Sequence, residues 1–304
     1  MYQIIAKRKY WLAISAVLVV MSITAIAVWG LRFGIDFVGG GVLEVRYLQD
    51  RPIVVSIKES LAPIGLSNLI VQPVGDNDIK LRFQAIDEAK HQEVLSKLAE
   101  LSPKIDSQPS LEELRYDSVG PTVGRDLRSR ATTSIILVLI AIIVYVAWAF
   151  RKVSQPVSSW KYGVCAVIAL FHDVIILLGF FALLGRYYGY QIDISSVAAL
   201  LTILGYSVND TIVVFDRTRE NLFRTRQSFA DTVNLSLNQT LARSIYTSLT
   251  TMLTLVAIVI FGGASIRNFA LALSIGILFG AYSSIFIASP LLVVWNNWQN
   301  RKRA

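Results

Sequence analysis

The chain has 304 residues, of which 54% are hydrophobic and only 16% charged, and its mean hydropathy is +0.54. Soluble domains are about 45–50% apolar and about 25% charged, so this balance belongs to membrane proteins. A single cysteine, Cys165, excludes an internal disulfide and a cysteine-based metal cluster, while a net charge of +8 raises the question of nucleic acid.

Lys7, Arg8 and Lys9 lead into the first apolar run, Trp11–Leu31, which falls within the roughly 17–25 residues that cross a bilayer. The basic start and Ala25-Ile26-Ala27 also fit a cleavable signal peptide. The run is longer than a usual signal core, so residues 1–31 are expected to be a retained N-terminus and first span.

Residues 32–129 lack a spanning run and read as an α+β domain outside the membrane. Val42–Leu48 alternates like a strand, and Ile53–Ala62 follows Pro52 with helical spacing. Leu69–Val74 and Ile79–Phe83 flank Gly75-Asp76-Asn77-Asp78, a hairpin signal. A helix over Ala85–Leu101 and a strand over Leu111–Val119 complete the order β-α-β-β-α-β, which predicts a ferredoxin-like domain.

Residues 130–298 hold five further apolar runs, Ala131–Phe150, Tyr162–Leu184, Ile194–Phe215, Ser244–Phe261 and Asn268–Trp295. All six tryptophans lie near the ends of runs, as a membrane interface selects. The fold class expected is a six-helix polytopic membrane protein with one external α+β domain. Between the fourth and fifth runs, Phe229, Val233, Leu237 and Leu241 form an apolar stripe. With its arginines, this loop, 216–243, is expected to hold an amphipathic helix on the inner membrane surface. A basic tail, 299–304, ends the chain.

Fourteen basic residues, among them Arg151, Lys152, Arg217, Arg301, Lys302 and Arg303, fall on one side of the predicted spans, and only Arg186 and Arg267 occupy the short loops opposite. The positive-inside rule then places both termini in the cytoplasm. Residues 31–130 carry 13 basic and 15 acidic residues, so the surplus charge marks membrane orientation, not nucleic-acid binding.

Ionisable groups inside a bilayer cost several kcal/mol and usually face a bundle interior or a wet path. The candidates are His172 and Asp173 in the third span, Asp210 in the fourth and Arg243 at the start of the fifth. Asp210 lies 17 residues from Asp193 and Arg243 lies 19 from Gly262, about 26 Å and about 28 Å at ~1.5 Å per residue. Equal depth predicts an Asp210–Arg243 pair. Ser207, Asp210 and Thr211 share a helix face beside Asn209, and Arg243, Thr247, Thr250, Thr251 and Thr254 give the next span a hydroxyl face. This can be a proton or ion path, or a static bridge between helices.

Asp173 lies 13 residues past Trp160, about 20 Å in from the cytoplasmic side and so not level with Asp210, and adjacent residues point about 100° apart on a helix, so His172 and Asp173 are not expected to pair by simple juxtaposition. Relay and packing both remain open for them. Ala272, Gly276, Gly280, Ser284 and Ala288 line one face of the sixth span with small side chains for close helix packing. Gly34, Gly39, Gly40, Gly120 and Gly124, with Asp36 and Pro121, flank the external domain as hinges or tight turns. No Walker or dinucleotide loop is present, so neither ATP nor another cofactor is expected.

Phe33-Gly34-Ile35-Asp36-Phe37-Val38-Gly39-Gly40 resembles a signature of the SecD/SecF protein-export family, and Val119–Gly124 resembles another. Phe171-His172-Asp173-Val174-Ile175, the stretch from Gly205 to Arg217, Arg219-Glu220-Asn221 and Asn238-Gln239-Thr240-Leu241 are similar to the SecF branch. The resemblance covers nearly the whole chain. It implies the six-helix repeat of resistance-nodulation-division permeases, in the bacterial cytoplasmic (inner) membrane. It implies SecD, the SecY-SecE-SecG channel and preproteins as partners, and no enzyme activity. H+ would be the coupling ion, with the proton-motive force drawing preproteins across, and Asp210 and Arg243 would serve proton passage. Half of a small-molecule or lipid exporter, and a non-conducting scaffold, are the alternatives.

Overall fold

The computed structural model describes residues 1–102, 104–105, 108–109, 111–149 and 157–301. Phe150, Arg151, Lys152, Lys302 and Arg303, used above to delimit a span and to orient the chain, lie outside the described residues. The chain forms two compact units, Met1–Arg32 with Thr132–Ala304, and Phe33–Ala131.

The smaller unit begins with a helical turn, α2 (Ile35–Val38), and a central strand, β1 (Gly40–Tyr47). α3 (Val54–Leu61), β2 (Ile70–Val74), β3 (Asp78–Phe83) and α4 (Glu88–Glu100) follow. A two-residue ladder, β4 (Lys104–Ile105) with β5 (Gln108–Pro109), precedes β6 (Leu111–Val119) and was not anticipated from the sequence. The main sheet has the order β2-β3-β1-β6, and every pairing is antiparallel. Strand alternation sends Leu43, Val45 and Tyr47 of β1 and Ile79, Leu81 and Phe83 of β3 into one core with Ile57, Leu61, Val94 and Leu98 of α3 and α4. On the strands' other side, Arg46 reaches Asp78 at 2.7 Å and Lys80 reaches Glu44 at 2.5 Å.

The two glycine motifs meet within this unit. Gly39 and Gly40 have φ of +82° and +138°, values open to glycine but strained for other residues. A Cβ on Gly39 would come 2.9 Å from Cα of Pro121, and one on Gly124 would come 3.1 Å from the Gly39 nitrogen. Glycine is needed at these points because backbone packs on backbone.

The larger unit is helical: α1 (Arg8–Trp29), α5 (Pro121–Ala149, from Thr132 onward), α6 (Ser159–Tyr188), α7 (Ile194–Arg224), α8 (Phe229–Phe261), α9 (Ala264–Ser283) and α10 (Ser289–Arg301). A π-helical turn, Ser284–Ala288, joins α9 to α10. Pro290 supplies no N–H to the Phe286 carbonyl, and the helix loosens one turn before it. Among the described residues, six helical stretches are long and apolar enough to cross a membrane, the sixth running through α9 and α10. α7 packs against α6, α8 and α9, and α1 packs against α6.

The loop helix expected on the membrane surface is instead the first part of α8. Nothing between Phe229 and Phe261 breaks a helix, as neither Gly nor Pro occurs there. The stripe of Val233 and Leu237 is buried with Ile4, Ile5, Val214, Ile285 and Val293, so protein covers it, not lipid.

The small-residue row of the sixth helix is where α9 meets α7. A Cβ on Gly276 would overlap Ile203, with its Cγ2 only 2.8 Å away, and one on Gly280 would sit 3.0 Å from the Ser207 Cβ. Gly179 of α6 allows the same closeness to Ser22 of α1, whose Cα lies 2.7 Å from a Cβ placed there.

Candidate functional site

A polar seam runs through the apolar helices and centres on Asp173. Its side chain is 1% exposed. Oδ2 accepts hydrogen bonds from the Ser207 hydroxyl of α7 at 2.6 Å and the Ser283 hydroxyl of α9 at 2.7 Å. Oδ1 lies 3.0 Å from Nδ1 of His172. One carboxylate thus ties three helices together, in surroundings where an unpaired charge would cost several kcal/mol.

The seam continues on both sides of Asp173. Below Ser207, the hydroxyls of Thr211 and Ser284 lie 2.9 Å apart, and the Ser284 hydroxyl donates to the Ser207 carbonyl at 3.2 Å. On the other side, the His172 ring stacks on Tyr282 with centroids 6.1 Å apart. The Tyr282 hydroxyl lies 3.0 Å from the Ser15 hydroxyl of α1 and donates to the Trp11 carbonyl at 3.3 Å. His172 Nε2 is buried without a hydrogen-bond partner among the described residues.

Two expectations from helix geometry are corrected here. His172 and Asp173 do meet, because flexible side chains close an angle that separates their Cα–Cβ bonds. Asp173 is also not remote from the Asp210 level, since it bonds Ser207, less than one turn from Asp210. Rise counted along separate helices does not fix which of their residues stand side by side, and Asp173 stands beside Ser207.

Asp210 is arranged differently. It is 6% exposed, and its Oδ2 has no hydrogen-bond partner among the described residues. Arg243 on α8 is exposed, and no ion pair within 4.0 Å joins it to Asp210. The bridge expected from equal depth is therefore not made in this structure. Asn209 is exposed.

The hydroxyl row of α8 is corrected as well. Thr247 is exposed, and its hydroxyl donates to its own helix at the carbonyls of Arg243 (3.0 Å) and Ser244 (3.1 Å). Thr250, Thr251 and Thr254 also bond carbonyls one turn back, and of these only the half-buried Thr251 makes a polar contact across helices among the described residues, its hydroxyl lying 3.4 Å from that of Tyr206 on α7. A threonine satisfied by its own backbone can face outward from a helix. Of the three serines buried on α8, Ser236, Ser244 and Ser248, the hydroxyls of Ser244 and Ser248 lack partners among the described residues. Periodicity alone could have marked them, because they lie four apart.

A second polar cluster holds the far ends of α7 and α8 and was not anticipated. Asn221 donates to Ser236 and Gln239, both at 2.9 Å, and Arg217 donates to Gln239 at 2.6 Å. Asn234 and Asn238 both donate to the Tyr2 carbonyl, at 3.1 and 2.9 Å, and accept from the Ile5 and Tyr2 amides. These amides pin the N-terminal segment to α8.

Residues 100–298 match the family model described as "Protein export membrane protein SecD/SecF, C-terminal". The chain is 42% identical to the protein translocase subunit SecF of Thermobaculum terrenum, over 98% of this chain and 95% of that one. It is 38% identical to the subunit of the same name from Anaerolinea thermophila, over 99% and 96%. Among solved structures it is similar to SecDF of Thermus thermophilus, described as a translocon-associated membrane protein, with a TM-score of 0.81 and 32% identity over 97% of this chain. It is also similar to SecDF in a super-membrane-facing form, with a TM-score of 0.69 and 32% identity over 99% of this chain. The chain spans only 39% and 40% of those two longer chains. Matched over nearly its full length by subunits of one name, and folded like part of SecDF, this chain belongs to the SecD/SecF family of protein-export membrane proteins, as a member of its SecF branch.

Proposed function

We propose that the chain is the SecF-type part of a proton-driven accessory to Sec protein translocation. It spans the bacterial cytoplasmic membrane six times with both termini inside, and carries an external ferredoxin-like domain. SecD supplies the matching six-helix half, the SecY-SecE-SecG channel conducts the preprotein, and H+ is the coupling ion. One observation carries the reading: a buried carboxylate, Asp210, has an oxygen without a hydrogen-bond partner among the described residues.

In this cycle ionised Asp210 draws Arg243 toward it, and protonation releases it. The released arrangement has the same unbonded pair that is found here. Each proton crossing 100 mV supplies about 2.3 kcal/mol, enough to bias two helix arrangements of similar energy. Asp173 acts as a fixed brace, because its oxygens are engaged by Ser207, Ser283 and His172. Gly39, Gly40 and Gly124, packed against their neighbours, turn the chain between span and domain. Ser207 and Thr211 connect Asp210's helix face to the brace.

Asp210→Asn, assembled with SecD in vesicles, tests the reading. It should assemble normally and lose gradient-dependent stimulation of preprotein transport. Full stimulation by this variant would overturn the proton role. Normal assembly with SecD separates failure of coupling from failure of the complex.

A further inference from the structure

At one end of the helical unit, the first turns of α1 and the last turns of α10 enclose a cavity of about 540 Å³. Arg8, Lys9 and Arg301 line it, and among the described residues no acidic side chain does. Its remaining walls include Leu12 and Val294, and Trp298, which is 56% exposed. Arg8 uses one guanidinium N–H to hold the Ile5 carbonyl at 3.1 Å, which fixes its head at the rim. Among the described residues, none of the three cations takes part in an ion pair.

Three like charges converging on one cavity repel one another and call for an anion. On α7, by contrast, Arg217 and Arg224 are matched by Glu220 and Arg219 by Asp216. The anion must also suit apolar walls, since Leu12 and Val294 line the same cavity. A tryptophan at the rim marks the headgroup level, where its amphipathic ring is favoured. An amphiphile meets all three requirements, with its charged group at the rim and its chains against the apolar walls.

We propose that this cavity binds the headgroup of an anionic phospholipid, phosphatidylglycerol or a related phosphodiester with net negative charge. The bidentate geometry of arginine suits phosphate oxygens, and lysine adds a point charge. Basic pockets between membrane helices recognise headgroups by the same chemistry. The proposal requires only that the chain is embedded in a bilayer, and it does not depend on proton coupling.

The test uses the full chain in nanodiscs of phosphatidylcholine, with brominated lipid added as a quencher of nearby tryptophan. The part of the signal lost in Trp298→Phe reports this cavity. Brominated phosphatidylglycerol should quench Trp298 at much lower mole fraction than brominated phosphatidylcholine. Arg8→Gln and Arg301→Gln should each weaken that preference about fivefold, while Arg226→Gln, which removes a cation outside the cavity, should not change it. Arg8→Lys with Arg301→Lys keeps the charge and should retain most of the preference, which separates lost charge from lost fold. Equal quenching by both lipids, or an unchanged preference in the double glutamine variant, would overturn the proposal. Displacement of the lipid by millimolar inorganic phosphate would also overturn it, because the site would then be one for free phosphate.

Discussion

Removal of the Asp173 carboxylate should strongly destabilise the helical unit. Asp173→Ala leaves the hydroxyls of Ser207 and Ser283 without their acceptor and His172 Nδ1 without its neighbour. Hydrogen bonds between membrane helices average about 0.6 kcal/mol and reach about 1.7 kcal/mol. Three such contacts, at a group 1% exposed, put the loss at about 2–5 kcal/mol. The assay is reversible unfolding in mixed micelles, followed through the tryptophans. Ser207→Ala and Ser283→Ala should each cost about 1 kcal/mol alone, and almost nothing once Asp173 is already alanine. That non-additivity is the critical sign, because groups bonded to one carboxylate must couple. If Asp173→Ala unfolds within about 0.5 kcal/mol of the parent, or the three changes simply add, the brace assignment fails.

Gly276→Ala should cost about 1–3 kcal/mol, since the new methyl overlaps Ile203, itself 2% exposed in the α7–α9 contact; Ile203→Ala should restore part of the loss in the same unfolding assay. Asp210→Asn should leave stability nearly unchanged, because no hydrogen bond to Oδ2 is removed, and this contrast with Asp173→Ala checks the division between brace and switch. In the α+β unit, the Arg46 guanidinium bonded to Asp78 holds that carboxyl below the usual range. The pair therefore stabilises the fold fully above the ordinary aspartate pKa near 3.9, and that stability is lost as pH falls through the lower folded value. Thermal unfolding from pH 6 down to 3 should show the acid limb flattened by Asp78→Asn, with the difference shrinking in high salt because both side chains are partly exposed.

The spans were legible because a run of apolar residues at the length of a bilayer leaves few alternatives. Strand positions in the α+β unit were legible for a related reason: alternation of Leu43, Val45 and Tyr47 fixes which face is buried. Ser207 and Thr211 could be placed on a polar face from spacing alone, and both make polar contacts there. Partners across helices were harder. Whether Asp210 meets Arg243, or Asp173 meets Ser207, depends on tilt and rotation, which spacing within one helix does not contain. The threonines of α8 misled because a hydroxyl in a helix can bond the carbonyl one turn back and need no polar neighbour. The apolar stripe at Val233 and Leu237 carried no sign of whether lipid or protein would cover it, and the N-terminal Ile4 and Ile5 do so. The π turn had a sequence cause in Pro290, but its effect on the preceding turn follows from packing.

The central claim is that protons pass by way of Asp210. Proton flux across vesicles holding the full chain with its SecD partner, driven by an imposed gradient and read with an internal pH dye, tests this most directly. The account predicts flux in the parent, loss of most of it in Asp210→Asn, and retention of most of it in Ser283→Ala, which touches the brace alone. Flux in Asp210→Asn equal to that of the parent would contradict the account.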